Sequence, residues 1–182
     1  MIFDGNSSRK EFPSRSREMT PTTHQPSLAF KTRRLPAGDI DAAWKIITEY
    51  YEAAAVIARD AKDDLARIYF QDGAGVWLAT IESSVIGCIA LRPLTGLESS
   101  GEVKRLYVQQ PYRGRGIAGS LYQELESYAR ECGYKFLYLD TTDEMVVAQR
   151  FYAALGYKLC ARYNNNPQAT IFMRRDLRVT RP

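Results

Sequence analysis

The sequence predicts one α/β domain of the α+β type, built on a mixed, mostly antiparallel sheet of about seven strands with four helices. The chain has 182 residues, 45% of them hydrophobic, which suffices for one sizeable core. Short β-rich runs and stretches of helical periodicity alternate in the order β-α-α-β-β-β-α-β-α-β-β. Two of the β-rich runs are joined only by Ser83 and Ser84, so an antiparallel hairpin is their simplest arrangement.

The individual elements follow from periodicity and from turn residues. Apolar residues at helical spacing predict a long helix from Ile40 that breaks near Arg59, a helix from Ile117 that ends at Gly133, and a helix over 145–156. The predicted strands are runs rich in β-branched and aromatic residues. They are LAFKTRRL, GVWLATIE, VIGCIALR, GEVKRLYV, YKFLYLD, YKLCARY and TIFMRRDL.

The two ends of the chain differ in composition. Residues 1–27 are rich in Ser, Arg, Thr and Pro without apolar periodicity, which predicts a disordered N-terminal tail and a folded domain over residues 28–182. No window approaches 18 apolar residues, and the N-terminus lacks the apolar core of a signal peptide. We therefore expect a soluble cytoplasmic protein without a membrane partner.

Charge and residue usage narrow the classes of function. The net charge of +4 suits a small anionic ligand, but the basic residues form no run, so we expect no nucleic-acid partner. The only histidine, His24, lies in the tail, which argues against a histidine base. Cys88, Cys132 and Cys160 lack metal-ligand spacing, and we expect no metal site and three small buried hydrophobic side chains.

A glycine-rich stretch in the middle of the chain, YRGRGIAG over residues 112–119, indicates a phosphate site. It contains G-x-G-x-x-G, and Asp140 follows about 20 residues later, where a dinucleotide-binding protein places its ribose ligand. However, residues 109–113 separate the glycines from the preceding strand, whereas a dinucleotide-binding glycine follows its strand almost directly. A loop that leads into a helix presents backbone amides to an anion in either case, so NAD and another pyrophosphate both remain open.

Two longer stretches resemble one protein family. EVKRLYVQQPYRGRGIAGSLYQELESYARECGY is similar to the acyl-CoA motif of the GNAT acetyltransferases, and AQRFYAALGY is similar to the second motif of that family. The resemblance covers about residues 29–177. It implies the GNAT fold, with a central splay between two parallel strands, and acetyl-CoA as co-substrate. The implied reaction is direct attack by the amine of a small molecule on the thioester in a ternary complex.

The resemblance also implies which residues bind coenzyme A. The pantetheine arm would pair with backbone groups of Leu106, Tyr107 and Val108. The pyrophosphate would meet the amides of the glycine loop, with added contacts from its two arginines. The loop residues are Arg113, Gly114, Arg115, Gly116, Ile117, Ala118, Gly119 and Ser120.

Two residues are candidates for the chemistry. Glu102 lies six residues before Val108, a spacing that resembles the catalytic glutamate of some GNAT enzymes, and the even offset predicts that both side chains share a face. As a base it requires burial or a relay through water. The alternative is an ion pair with Lys104 or Arg105. Tyr152 matches the family's tyrosine that donates to the leaving thiolate, and its alternative is a core aromatic role.

The acceptor and the catalytic status are less constrained by the resemblance. An acceptor pocket is expected near the first helices, the hairpin and the terminal loop around Tyr163 and Asn166. Met145 stands where an asparagine is common in the family, so a binding module without turnover remains an alternative. The sequence also leaves open whether the chain forms a homodimer.

Overall fold

A computed structural model describes residues 29–36, 39–57 and 59–179, and the predicted tail of residues 1–27 lies outside this range. Across the described residues the elements follow the predicted order, with seven strands in one sheet and four α-helices. The strands are β1 Lys31–Arg34, β2 Gly75–Ile81, β3 Ser84–Pro93, β4 Ser100–Val108, β5 Phe136–Thr141, β6 Lys158–Leu159 and β7 Ile171–Asp176. The helices are α1 Ile40–Ala53, α2 Lys62–Tyr69, α3 Ile117–Glu131 and α4 Val146–Ala154, and a short 3-10 turn spans Gln110–Tyr112.

The sheet is mixed and mostly antiparallel, as predicted. Its strand order is β1-β2-β3-β4-β5-β7-β6, and β4 with β5 is the parallel pair. These two strands pair only where Ser100–Glu102 face Phe136–Tyr138, and beyond Glu102 they separate. The predicted splay is therefore confirmed, and it leaves the later half of β4 without a β5 partner.

Two hydrophobic cores cover the two faces of the sheet. On one face α3 and α4 pack against a cluster that includes Trp77, Leu91 and Val103. On the other face α1 and α2 bury Ile47 and Leu65 against the sheet. Burying one leucine or isoleucine side chain fully stabilises the folded state by about 1.5 to 3 kcal/mol relative to leaving it exposed. Glu102, described below, lies on the face that α1 and α2 cover, whereas Tyr152 belongs to the core that α3 covers.

A bulge in β4 changes which side chains share that face. The pairing with β3 shifts register between Cys88 and Ala90, and opposite this shift Arg105 has φ of +60°. Val103 and Val108 therefore both belong to the α3 core although they are five residues apart. The predicted common face of Glu102 and Val108 is wrong, because the extra residue inverts the alternation of side chains between them.

Helix ends and turns agree with the sequence except near the C-terminus. The long first helix divides near Arg59, as predicted, and Gly133 and Gly156 follow α3 and α4 with φ of +77° and +90°. The predicted strand over 157–163 reduces to Lys158–Leu159. The chain then leaves the sheet because Asn164 and Asn166 each accept from the backbone two residues ahead, which are Asx turns.

Two further predictions concern the surface. Cys88 is buried and its thiol pKa is raised by burial to about 12. Cys132 is exposed at the end of α3 and Cys160 is half-buried, so the expectation of three buried cysteines is confirmed for Cys88 alone. Among the described helices, none combines the length and apolar character needed to cross a bilayer.

Candidate active site

The glycine loop precedes the N-terminus of α3. Gly114 and Gly116 have φ of +74° and +80°, and Gly116 is the residue that caps the helix. A side chain is strained in this conformation, which explains the glycines at both positions. A Cβ added at Gly114, Gly116 or Gly119 would have no atom within 4 Å. The loop therefore forms an open cradle into which a ligand can come close to the backbone.

The cradle presents amides rather than side chains. The Ser120 amide donates to the Gly116 carbonyl over 3.0 Å and closes the first turn of α3, so the amides before it are free of intrahelical partners. The buried side chain of Ile117 anchors this turn. Arg113 donates from Nε to the Val108 carbonyl over 2.8 Å, and both Arg113 and Arg115 are exposed. Arg113 thus joins the loop to the end of β4, and Arg115 lies between the two positive-φ glycines of the cradle.

The strand that leads into the loop has an unpaired edge. Leu106, Tyr107 and Val108 lie beyond the last pair between β4 and β5, so they lack a strand partner on that side among the described residues, although the Val108 carbonyl accepts from Arg113 Nε. The Tyr107 hydroxyl donates to Glu49 of α1 over 2.9 Å. Burial and this contact raise the Tyr107 pKa above its ordinary value. The edge has the geometry that β-augmentation by an extended ligand requires.

A polar cluster lies where the two parallel strands separate. At its centre the Glu102 carboxylate is fully buried, at 0% exposure. Its Oε2 accepts from Arg92 Nε over 2.7 Å, and its Oε1 accepts from the Tyr163 hydroxyl and the Asn164 amide over 3.0 Å each. The polar cluster consists of Arg92, Glu102, Lys104, Asp140, Tyr163 and Asn164.

The ion pairs of Glu102 agree in part with the alternative predicted for it. Lys104 lies 3.4 Å from its carboxylate, as anticipated. Arg105 instead pairs with Asp60, and the sequence analysis missed Arg92. The register of the β3 and β4 hairpin, which sets Arg92 opposite Glu102, is the signal that could have found it. The burial that a glutamate base requires is present.

Asp140 belongs to the same cluster. Burial by itself raises the pKa of this carboxyl, but Lys104 at 2.8 Å and the amides of Asn164 and Asn166 outweigh it and hold the pKa below its ordinary value. The Asp140 carboxylate is thus already engaged by protein side chains rather than free to bind a ribose. The described sheet also has one parallel pair of strands, whereas a dinucleotide-binding half is a parallel, doubly wound sheet. The interpretation as an NAD site is wrong for both reasons.

Tyr152 lies in an aromatic group beneath the glycine loop helix. Its ring packs edge to face against Tyr122, Phe151 and Tyr157, and its side chain is buried. Its hydroxyl makes no hydrogen bond to a described residue, whereas the Tyr157 hydroxyl contacts that of Tyr122 at 3.2 Å. Burial, and then the neighbouring Tyr122, raise the Tyr152 pKa above its ordinary value. Tyr152 is therefore a protonated hydroxyl with a free donor.

Comparisons with known proteins agree with this arrangement. The sequence matches the model of the Acetyltransferase (GNAT) family over residues 40–157, which is more than half of the chain. It is 33% identical to an uncharacterized N-acetyltransferase from Escherichia coli over 69% of this chain and 80% of that protein. It is also 33% identical to N-acetylaspartate synthetase from Xenopus tropicalis, over 63% of this chain and 41% of that longer protein.

A solved acetyltransferase from Salmonella typhimurium, determined with its cofactor acetyl-CoA, has the same fold. Its TM-score is 0.65 at 19% identity, and the match covers 82% of this chain and 94% of that one. The strand order, the splay and the two sequence motifs all agree with the family match. The chain therefore belongs to the GNAT family and is an acyl-CoA-dependent acetyltransferase.

Proposed function

We propose that the protein transfers the acetyl group of acetyl-CoA to the primary amine of a small molecule, by direct attack in a ternary complex. The observation that carries this proposal is the placement of a buried carboxylate at the point where β4 and β5 separate, on the strand that leads into an open glycine cradle. Acetyl-CoA supplies the thioester. The residues of the chain orient the thioester, accept the proton of the amine and donate a hydrogen bond to the leaving thiolate.

The cradle and the free edge of β4 fit coenzyme A. The amides of residues 114–119 and the dipole of α3 would hold the pyrophosphate, and the dipole alone contributes about 0.3 to 1 kcal/mol. The amides of Arg113 and Ser120 at the two ends of the loop already donate to Gln110 and Gly116. Arg115 adds a charge-assisted contact. Leu106, Tyr107 and Val108 would pair with the pantetheine arm through backbone groups, so recognition depends on main-chain geometry more than on side chains.

Glu102 is the proposed base. An alkylammonium with pKa near 10.4 holds under about 0.1% free amine at neutral pH, so a proton must be removed before attack. Because the Glu102 carboxylate is fully buried, it reaches an acceptor only through a relay. The Tyr163 hydroxyl, which donates to Glu102 Oε1, or a water molecule beside it, is the proposed relay.

Tyr152 is the proposed donor to the leaving thiolate. Full proton transfer from an ordinary phenol to a thiolate is unfavourable by roughly 2 kcal/mol, and burial raises the Tyr152 pKa further. Tyr152 therefore acts as a hydrogen-bond donor that stabilises the thiolate, and the proton comes later from solvent. The unpartnered hydroxyl supports this role.

The decisive experiment measures free thiol release from acetyl-CoA across a panel of small amines. We expect turnover with at least one amine, and Tyr152→Phe should lower kcat on the order of 10- to 100-fold, the value of a hydrogen bond to a charged group. Tyr157→Phe is the matched control, because it removes a hydroxyl from the same aromatic group and should leave kcat unchanged. Binding of acetyl-CoA without thiol release to any amine would contradict the proposal and favour a module without turnover.

A further inference from the structure

Arg105 occupies an unusual position in the sheet. It is the bulged residue of β4, with φ of +60°, in a region that side chains other than glycine rarely adopt. Such strain persists where the surrounding structure enforces it, and it concentrates at ligand sites. Its effect here is to place Arg105 on the α1 face beside Lys104, directly before the free edge of Leu106, Tyr107 and Val108.

The guanidinium of Arg105 is held by aromatic rings and by one carboxylate. Its side chain is 8% exposed and lies 4.8 Å from the ring centre of Tyr51 and 5.7 Å from that of Tyr50. Its Nη2 donates to Asp60 over 2.5 Å, and Asp60 also accepts from the Tyr51 hydroxyl. Asp60 itself lies just before α2, on the connection from α1.

One donor of this guanidinium has no partner. The Nε of Arg105 is buried without a hydrogen bond, and it is one of three such side-chain atoms among the described residues. Buried donors are paired in nearly all folded proteins, so an unpaired one on a charged group requires an explanation. A planar guanidinium can satisfy two carboxylates, or exchange one for another, because it has five N–H donors.

These observations point to the acceptor. Building on the proposed function, we infer that Arg105 binds a carboxylate of the acceptor, which makes amino acids and related amino carboxylates the substrate class. Asp60 occupies the guanidinium in the free protein and competes with the incoming carboxylate.

The first test uses the wild-type protein and pairs each free amino acid with its own primary amide. The two members share the amine and the side chain and differ in the carboxylate. Because the amide lowers the pKa of the amine, pH-independent values of kcat/KM are compared. We expect the acid to be preferred on the order of 10- to 100-fold. Equal turnover, or preference for the amides, overturns the inference but leaves the proposed function standing. Failure to acetylate any amine defeats the proposed function itself.

Two substitutions have opposite expected signs. Arg105→Gln removes the charge, so KM for the acid rises and the ratio of acid to amide falls toward one. Asp60→Asn removes the competing carboxylate, so KM for the acid falls. If the ion pair were only structural, both variants would shift KM in the same direction and shift the amides equally, which overturns the inference. Arg67→Gln, which removes an exposed arginine paired with Asp64 on α2, is the control and leaves the ratio unchanged. If either variant at the pair fails to fold, the wild-type ratio decides alone.

Discussion

The glycine loop and the polar cluster, which are the proposed sites of the two substrates, are built in different ways. The loop is a continuous segment, residues 113–120, and it presents backbone amides with open space above its glycines. The cluster draws its side chains from β3, β4, β5 and the terminal loop, and Tyr163 contacts Glu102 across 61 residues of sequence. The loop thus depends on local conformation, whereas the cluster exists only when the sheet has assembled.

The difference has consequences for substitution. In the loop, most side chains should be replaceable without loss of coenzyme affinity, because the proposed contacts are made by main-chain groups at a helix N-terminus. In the cluster each group satisfies another, so removing one leaves a buried charge without its partner. The effects of two substitutions on activity should therefore be additive in the loop and non-additive in the cluster.

Glu102→Gln is expected to have the largest effect. It removes the proposed base and leaves Arg92 without its counter-charge, whereas Lys104 keeps its ion pair with Asp140, so kcat/KM should fall about 100-fold or more. The unfolding free energy should fall by about 3 kcal/mol. Steady-state rates over a range of pH and denaturant unfolding measure the two quantities separately.

Glu126→Gln is the matched control for this prediction. Glu126 is also buried and paired, with Arg175 at 2.7 Å, but it lies on α3 and faces the other core. It should lose similar stability with unchanged kcat/KM. If the two variants reduced kcat/KM equally, Glu102 would be a structural ion-pair residue and the proposed base would be wrong.

Gly116→Ala should have an intermediate effect, confined to coenzyme binding. The added methyl group meets no protein atom but enters the cradle, so the affinity for acetyl-CoA measured by calorimetry should fall roughly tenfold. Strain at positive φ also destabilises the fold by about 1 to 2 kcal/mol.

Gly133→Ala separates these two consequences. Gly133 has φ of +77° and equally open surroundings, but it follows the C-terminus of α3, away from the cradle. It should lose the same stability and keep full affinity for acetyl-CoA. Equal losses of affinity in both variants would mean that backbone strain, rather than a methyl group in the way of the phosphate, lowers the affinity of Gly116→Ala.

Asp140→Asn should have the smallest effect on activity, because Asp140 has no proposed role in catalysis, and its effect should fall on stability. The pKa of Asp140 is held below its ordinary value near 3.9, so its charged form stabilises the fold above that pH and this contribution is lost as the solution is acidified. The variant should lose about 1 to 3 kcal/mol at neutral pH, through the weakened contact with Lys104. Thermal unfolding from pH 7 to pH 3 should show the difference from wild type shrinking. A constant difference would contradict the assigned pKa.

Much of the fold could be predicted because its signals are local. The helix Ile117–Glu131 is encoded by apolar spacing and by the glycine that follows it, and the element order followed from such runs. The bulge at Arg105 could not be predicted, because no residue type at this position indicates that the strand contains one extra residue. That one residue changed the face assigned to Glu102.

The sequence by itself determined the family, the element order and the cradle, since these rest on motifs and periodicities within short segments. Only the tertiary structure decided what surrounds each charged side chain. Arg92, Asp140 and Asn164 lie far apart in the chain, and their meeting at Glu102 depends on the register of β3 with β4 and on the separation of β4 from β5. Electrostatic environment is set by distance in space, which the order of residues along the chain does not encode.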